Sequence, residues 1–203
     1  ETATPTATVP ATSAAPVPAS PTPVASPTAM PVGTGLLLGR PVTLAEAQAQ
    51  VPYAIHVPPL PGIGAPEEIY LRTLPDGNRM VSLIYLPGPG IPETEETGVG
   101  VLLMQFVARD DVALIGKGIG IDQPWDYVDV DGNDGIWIEG THQLTLAPDP
   151  SLGCCRESTR SAGSVLLWEE DGLTFRLESA LSREEAIAIG ESLVVPAATP
   201  AAT

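Results

Sequence analysis

Basic residues are scarce in this chain. Nine stand against 25 acids over 203 residues, and a single lysine, Lys117, accompanies eight arginines. The resulting formal net charge of −16 repels phosphate backbones and anionic headgroups, which excludes nucleic acid as a partner. Long apolar runs are missing too, so no segment reads as a membrane span. There is no Gly-x-Ser-x-Gly elbow, no His-Glu-x-x-His helix and no phosphate loop, and only His56 and His142 could serve as general bases near neutral pH. The chain therefore reads as non-enzymatic. No His or further Cys stands at metal-ligand spacing from the two cysteines, so neither zinc nor any other cofactor is expected. The cysteines themselves, Cys154 and Cys155, are adjacent, which leaves three states open: a strained vicinal disulfide, two free thiols, or bridges to a second chain. The chain starts at Glu1 without Met or a signal peptide, which points to an upstream segment that has been removed.

Proline and glycine, by contrast, are plentiful. Glu1–Pro31 is built from Pro, Thr, Ala and Ser and has too little apolar bulk to offset the entropy of ordering. Its prolines favour extended geometry, so it should act as a semi-stiff stalk that holds a domain away from a wall or membrane. Gly33-Thr34-Gly35 closes it. The expected organisation is a disordered spacer over 1–35, one domain over 36–196 and a disordered tail over 197–203.

Within the domain, Ser164–Leu193 is the most legible stretch. Val165–Trp168 and Leu173–Leu177 read as strands joined through Asp171-Gly172, a pair that tolerates positive φ. Leu173, Phe175 and Leu177 alternate with Thr174, Arg176 and Glu178, predicting one buried face and one wet face. Ser182 and Glu185 then form a capping box that starts a helix, and Thr43 with Glu46 does the same for a short helix over 44–50. Val51–Val57 reads as a strand, Ile69–Leu74 and Met80–Leu86 as a hairpin, and Pro87–Gly98 as a loop. Val99–Ala108 is apolar without alternation, the pattern of a central strand covered on both faces. Trp125–Val130 and Ile136–Glu139 frame another tight turn, and Ala147–Gly163 reads as a polar loop. The succession predicts an α+β fold: a single meandering antiparallel sheet with an N-terminal and a C-terminal helix on one face, in a pattern that admits a half-barrel curvature.

Candidate sites are few. Asp129–Gly135 mimics a calcium loop, but position 6 from Asp129 is Asp134 and position 12 is Gly140, so it reads as a turn. His56, between Ile55 and Val57, suits a hydrogen-bonded structural role. His142 follows a strand end near Trp137 and Glu139, with Arg160 nearby in sequence, where it could line a pocket. The residues that would face a ligand are Trp137, His142, Arg160 and Trp168; sheet core is the alternative role for the tryptophans.

Several motifs together resemble a known domain. They are Thr43-Leu44-x-Glu46-Ala47, Val57-Pro58 with the bend after it, and Val99-Gly100-Val101-Leu102-Leu103-x-Gln105-Phe106. Val128-x-Val130-x-Gly132-x-x-Gly135-Ile136-Trp137-Ile138-Glu139-Gly140-x-His142 follows, then Arg160-x-Ala162-Gly163, Leu167-Trp168-Glu169 and Arg176-Leu177-Glu178-Ser179 through Glu191-Ser192-Leu193. Over about Thr43 to Leu193 the chain resembles the uncharacterised extracytoplasmic C-terminal domain of bacterial anti-sigma-factor-like membrane proteins. The loop at Cys154-Cys155 is not part of that pattern. The resemblance implies a cell-surface or periplasmic location, attachment to the membrane only through a segment outside this sequence, and an unknown extracytoplasmic ligand or protein as partner. No catalytic residue is carried over. The expected function is a non-enzymatic sensor or regulatory domain on a stalk. The alternative is a carrier holding a lipid or other apolar ligand in a cavity lined from Val99–Phe106 and Val165–Leu177. A hydrolase using His142 would require a nucleophile within its reach.

Overall fold

The computed structural model describes residues 31–60, 64–107, 123–146, 148–150 and 158–196. A 3-10 turn, Val32–Leu36, leads into β1 (Arg40–Pro41) and α1 (Leu44–Gln48). Three strands follow: β2 (Glu68–Thr73), β3 (Arg79–Tyr85) and β4 (Val101–Phe106). Then come β5 (Trp125–Val130), β6 (Asn133–Ile138), β7 (His142–Leu146) and β8 (Ser158–Ala162). The chain closes with β9 (Val165–Glu170), β10 (Leu173–Ser179) and α2 (Arg183–Glu191). The architecture is α+β, as the pattern of strands and caps implied.

The main sheet is open and antiparallel, in the order β1-β2-β3-β4-β10-β9-β6-β5. It meanders as far as β4. The chain then reaches the far edge at β5 and works back, so that the last strand inserts beside β4 with Leu177 opposite Leu103. Turn chemistry fixes the hairpins. Asp131-Gly132 and Asp171-Gly172 all take positive φ, the geometry that matches the twist of paired strands.

Each face of this sheet carries a core. The helix face packs Val81, Leu83, Val101, Leu103, Trp168 and Phe175 against α1, α2 and the segment between α1 and β2. Both helices have the capping boxes read from Thr43/Glu46 and Ser182/Glu185. Gly190 lets α2 sit close to the sheet, since a Cβ there would lie 3.0 Å from Val130 and 3.4 Å from the Trp168 ring.

Residues 51–57 do not form a strand. Pro52 within them and Pro58 just after them cannot donate to a ladder. The Gln105 side chain stands in for a neighbouring strand: its Oε1 accepts from the His56 N–H at 2.8 Å and its Nε2 donates to the His56 carbonyl at 2.7 Å. Val57 alone makes a bridge, to Val194 beyond α2.

The opposite face, predicted to be wet along β10, is covered. Residues 36–38 lie over Tyr70, Ile84 and Leu102, and β7 with β8 forms a separate two-stranded sheet over the rest. Thr174, Arg176 and Glu178 are therefore buried. This corrects two expectations at once: the wet face of β10 and the continuous loop over 147–163, part of which is β8. The fold also begins earlier than residue 36. The N–H groups of Val32 and Gly33 each donate to the Glu68 carboxylate at 2.9 Å, and Gly33 lies so near Tyr70 that a Cβ would be 2.2 Å from its ring.

These packing differences set a scale for mutations. Leu103→Ala, at the centre of the sheet, is expected to cost about 3–4 kcal/mol, within the range for deleting a buried leucine. Ser182→Ala, which removes only the α2 cap, should cost about 1 kcal/mol. Urea unfolding followed by circular dichroism measures both, and equal effects would contradict the assignment of Leu103 to a doubly covered strand.

Candidate functional site

The site lies between the two sheets. Alternation along β10 sends Thr174, Arg176 and Glu178 to the hairpin side. On β7, His142, Leu144 and Leu146 are the inward residues, with Ala162 and Arg160 of β8 opposite His142 and Leu144.

Glu178 is the hub. Arg160 grips it with two parallel bonds, Nη2 to Oε1 at 2.7 Å and Nη1 to Oε2 at 2.9 Å, while Arg176 Nε donates to Oε1 at 2.9 Å. The Glu178 side chain is 1% exposed, so the three charges interact where water cannot screen them. His142 completes the cluster. Its Nε2 lies 3.4 Å from Arg176 Nη2 and its Nδ1 lies 3.2 Å from the Gly140 carbonyl. A guanidinium cannot accept, so Nε2 is the acceptor and the ring proton sits on Nδ1, donated to Gly140. The histidine is neutral.

Burial is the main reason the His142 pKa lies below the usual histidine value; the Gly140 carbonyl and Glu178 oppose it, and Arg176 and Arg160 reinforce it. Burial alone would push the Glu178 carboxyl up, but Arg176 and Arg160 together hold it below the usual carboxylate range.

Beside Arg176 is a cavity of about 40 Å³ walled by Met80, Met104, Phe106, Leu144 and Leu146. That is room for about three waters.

Of the four residues expected to face a ligand, His142 and Arg160 meet here. Trp137 and Trp168 are on the other side of the sheet, in the helix-face core, with the Trp168 ring stacked on Phe175 at 4.9 Å. The four are thus divided by the sheet and form no common pocket. His56 packs its ring edge-on against Phe175 at 5.4 Å, away from any acid partner. Asp129 Oδ1 accepts from the Gly132 N–H at 3.0 Å, as a turn requires, and among the described residues no group of three or more metal-ligating side chains occurs. Cys154 and Cys155 lie outside the described residues.

Sequence reasoning missed Arg176 and Glu178. The signal is non-local: β10 pairs along one edge with β4, the most apolar strand, and only that central place shows that its second face is covered. Chemically the cluster is a clamp. The hydrogen-bond partners of the His142 ring are a carbonyl and a guanidinium, neither of them a nucleophile. Comparisons of the chain with family models, with curated proteins and with solved structures return no match.

Glu178→Gln leaves two buried arginines without their counter-charge, and is expected to destabilise the domain by about 3–5 kcal/mol in urea unfolding. The clamp should also make stability fall in acid in two stages. The folded His142 pKa lies below its unfolded one, so the unfolded chain takes up the proton first, and stability drops as pH falls below about 6.5. Glu178 is depressed as well, so its contribution is lost only as pH falls below the usual carboxylate value toward its own. Thermal melting between pH 7.5 and pH 5.5 (roughly spanning the first stage) should show a slope that His142→Gln flattens; an unchanged slope would refute the neutral assignment.

Proposed function

We propose that this chain is a non-enzymatic, extracytoplasmic sensor or regulatory domain, held away from the membrane by its Pro/Thr/Ala-rich N-terminal spacer. The observation that carries this reading is the construction of the β7–β8 hairpin. It forms its own sheet, shares no ladder with the main sheet among the described residues, and is fastened to it by the Arg160–Glu178 pair together with Leu144, Leu146 and Ala162. An element fastened this way is suited to a seated-to-lifted transition, and a partner that bound the lifted form better would shift the population. The composition of residues 1–31 supports the stalk, and the regulatory role rests on the resemblance of the chain's motifs to the outer domains of anti-sigma-factor-like proteins.

The carrier reading meets a cavity of about 40 Å³ that includes Met104, Phe106, Leu167 and Arg176. That space holds a few waters, which supports the regulatory reading over a carrier that uses this face.

Deleting the codons for residues 32–196 from the chromosomal gene, in frame, should change a discrete set of transcripts. A transcript profile identical to that of the parent strain would end the regulatory reading. In the same strain, a fluorescent or phosphatase tag after residue 196 should report a location outside the membrane; a cytoplasmic tag would end the extracytoplasmic one.

A further inference from the structure

The two edges of the main sheet are built differently. β1 is two residues long and ends in Pro41, a blunted edge. β5 runs six residues, and no described residue pairs with its outer side. Val130 and Asn133 flank a two-residue turn, so they exchange both backbone bonds. Counting back by twos, Trp125, Tyr127 and Asp129 turn their N–H and C=O groups outward. Trp125 and Tyr127 also stand opposite Ile138 and Ile136, which places both rings on the hairpin side of the sheet. There they are 44% and 79% exposed and meet edge-on with centroids 4.8 Å apart. A strand edge with no partner among the described residues, carrying two large exposed aromatics, is a template for another strand.

We infer that β5 is a docking edge for an extended basic segment of a second protein, which adds as a ninth strand and packs its apolar side chains on Trp125 and Tyr127. Charge selects this occupant. Asp126, Asp129, Asp131 and Asp134 lie on or next to β5 in a chain of net charge −16. A second copy pairing through the same edge would set these acids against each other, which is destabilising across a strand pair. The spacer is also a poor strand for this edge: its length could reach, but it carries no basic side chain and its prolines cannot donate to a ladder. It enters the fold at Val32 and Gly33, bonded to Glu68 of β2, six strand spacings or about 29 Å from β5. The docking edge thus faces away from the tether. Main-chain bonds would supply affinity, and alternate side chains would supply preference: apolar groups against the aromatic pair, Lys or Arg on the other side toward Asp126, with Asp129 at the end of the aromatic row favouring a base there. The surface is independent of the compartment the domain occupies, so its test stands or falls separately from the regulatory reading.

Short random peptides displayed on phage and selected against the full chain test it. The expected winners alternate Lys or Arg with aromatic or β-branched residues and are free of Pro. A synthetic winner should protect the amides of Trp125, Tyr127 and Asp129 from hydrogen exchange and weaken with added salt. Its affinity should fall at least about tenfold on Trp125→Ser or Tyr127→Ser, both solvent-facing changes that leave the cores intact. Acidic winners, no winners, binding that survives both substitutions, or protection elsewhere would each overturn the proposal. So would a dimer of the chain alone, seen in sedimentation and abolished by Tyr127→Ser, which would assign the edge to a second copy.

Discussion

One buried carboxylate holds the two sheets of this protein together. Glu178 and Arg176 belong to β10, at the middle of the main sheet, while Arg160 belongs to β8 of the covering hairpin. Without Arg160 the hairpin would keep the His142 contact to Arg176 and the apolar seating of Leu144, Leu146 and Ala162, and lose its ion pair. Without the hairpin, the polar side of β10 would face water and the residues under it, Met104 and Phe106 among them, would be uncovered. The fork of Arg160 matters because bidentate geometry fixes orientation as well as attraction, so the hairpin is held in one register over the sheet. His142 contributes by staying neutral. Its lone pair on Nε2 caps Arg176, the cation that Glu178 shares with Arg160, and the Nδ1 proton is spent on Gly140.

This arrangement explains which parts of the fold were legible in the sequence. Caps and turns were read correctly because they are local: Ser182 to Glu185 and Asp171-Gly172 need no distant partner to be recognised. The central place of β4 was readable because an apolar run without alternation has few other uses. The hairpin side of β10 was misread for a physical reason. Alternating Thr174, Arg176 and Glu178 look the same in sequence whether their partner is water or an opposite charge brought from residue 160. β8 escaped notice because Ser158–Ala162 carries little apolar surface of its own; its pairing with β7 and its arginine give it a place, and neither is a local property. Residues 51–57 misled in the opposite direction. Their apolar content suggested a strand, but the bonds a strand would make are supplied by one buried glutamine.

The division of the nominated ligand-facing residues has the same origin. Trp137 and His142 are five positions apart, which suggested proximity. A strand turns successive side chains to opposite faces, and Trp137 remains on β6 while His142 begins a strand in another sheet. Nearness in sequence was outweighed by a change of layer at Gly140, whose φ of 79° lets the chain leave the main sheet.

The charge distribution bears on how the hairpin could act. Six of the nine basic residues are described, and three of them (Arg72, Arg160 and Arg176) are largely buried on the hairpin side, so the outer surface is more acidic than the net charge alone indicates. Lifting the hairpin would separate Arg160 from Glu178 and bring its guanidinium out among surface acids, which partly offsets the loss. Breaking a buried pair by removing one partner costs about 3–5 kcal/mol. Moving a two-state element from one per cent to ninety-nine per cent occupancy takes about 5.5 kcal/mol of differential binding. The two quantities are of the same order, so on the proposed regulatory reading a partner that bound the lifted form that much more tightly would unseat the hairpin. The apolar contacts of Leu144, Leu146 and Ala162 with the main sheet add to what such a partner would have to supply.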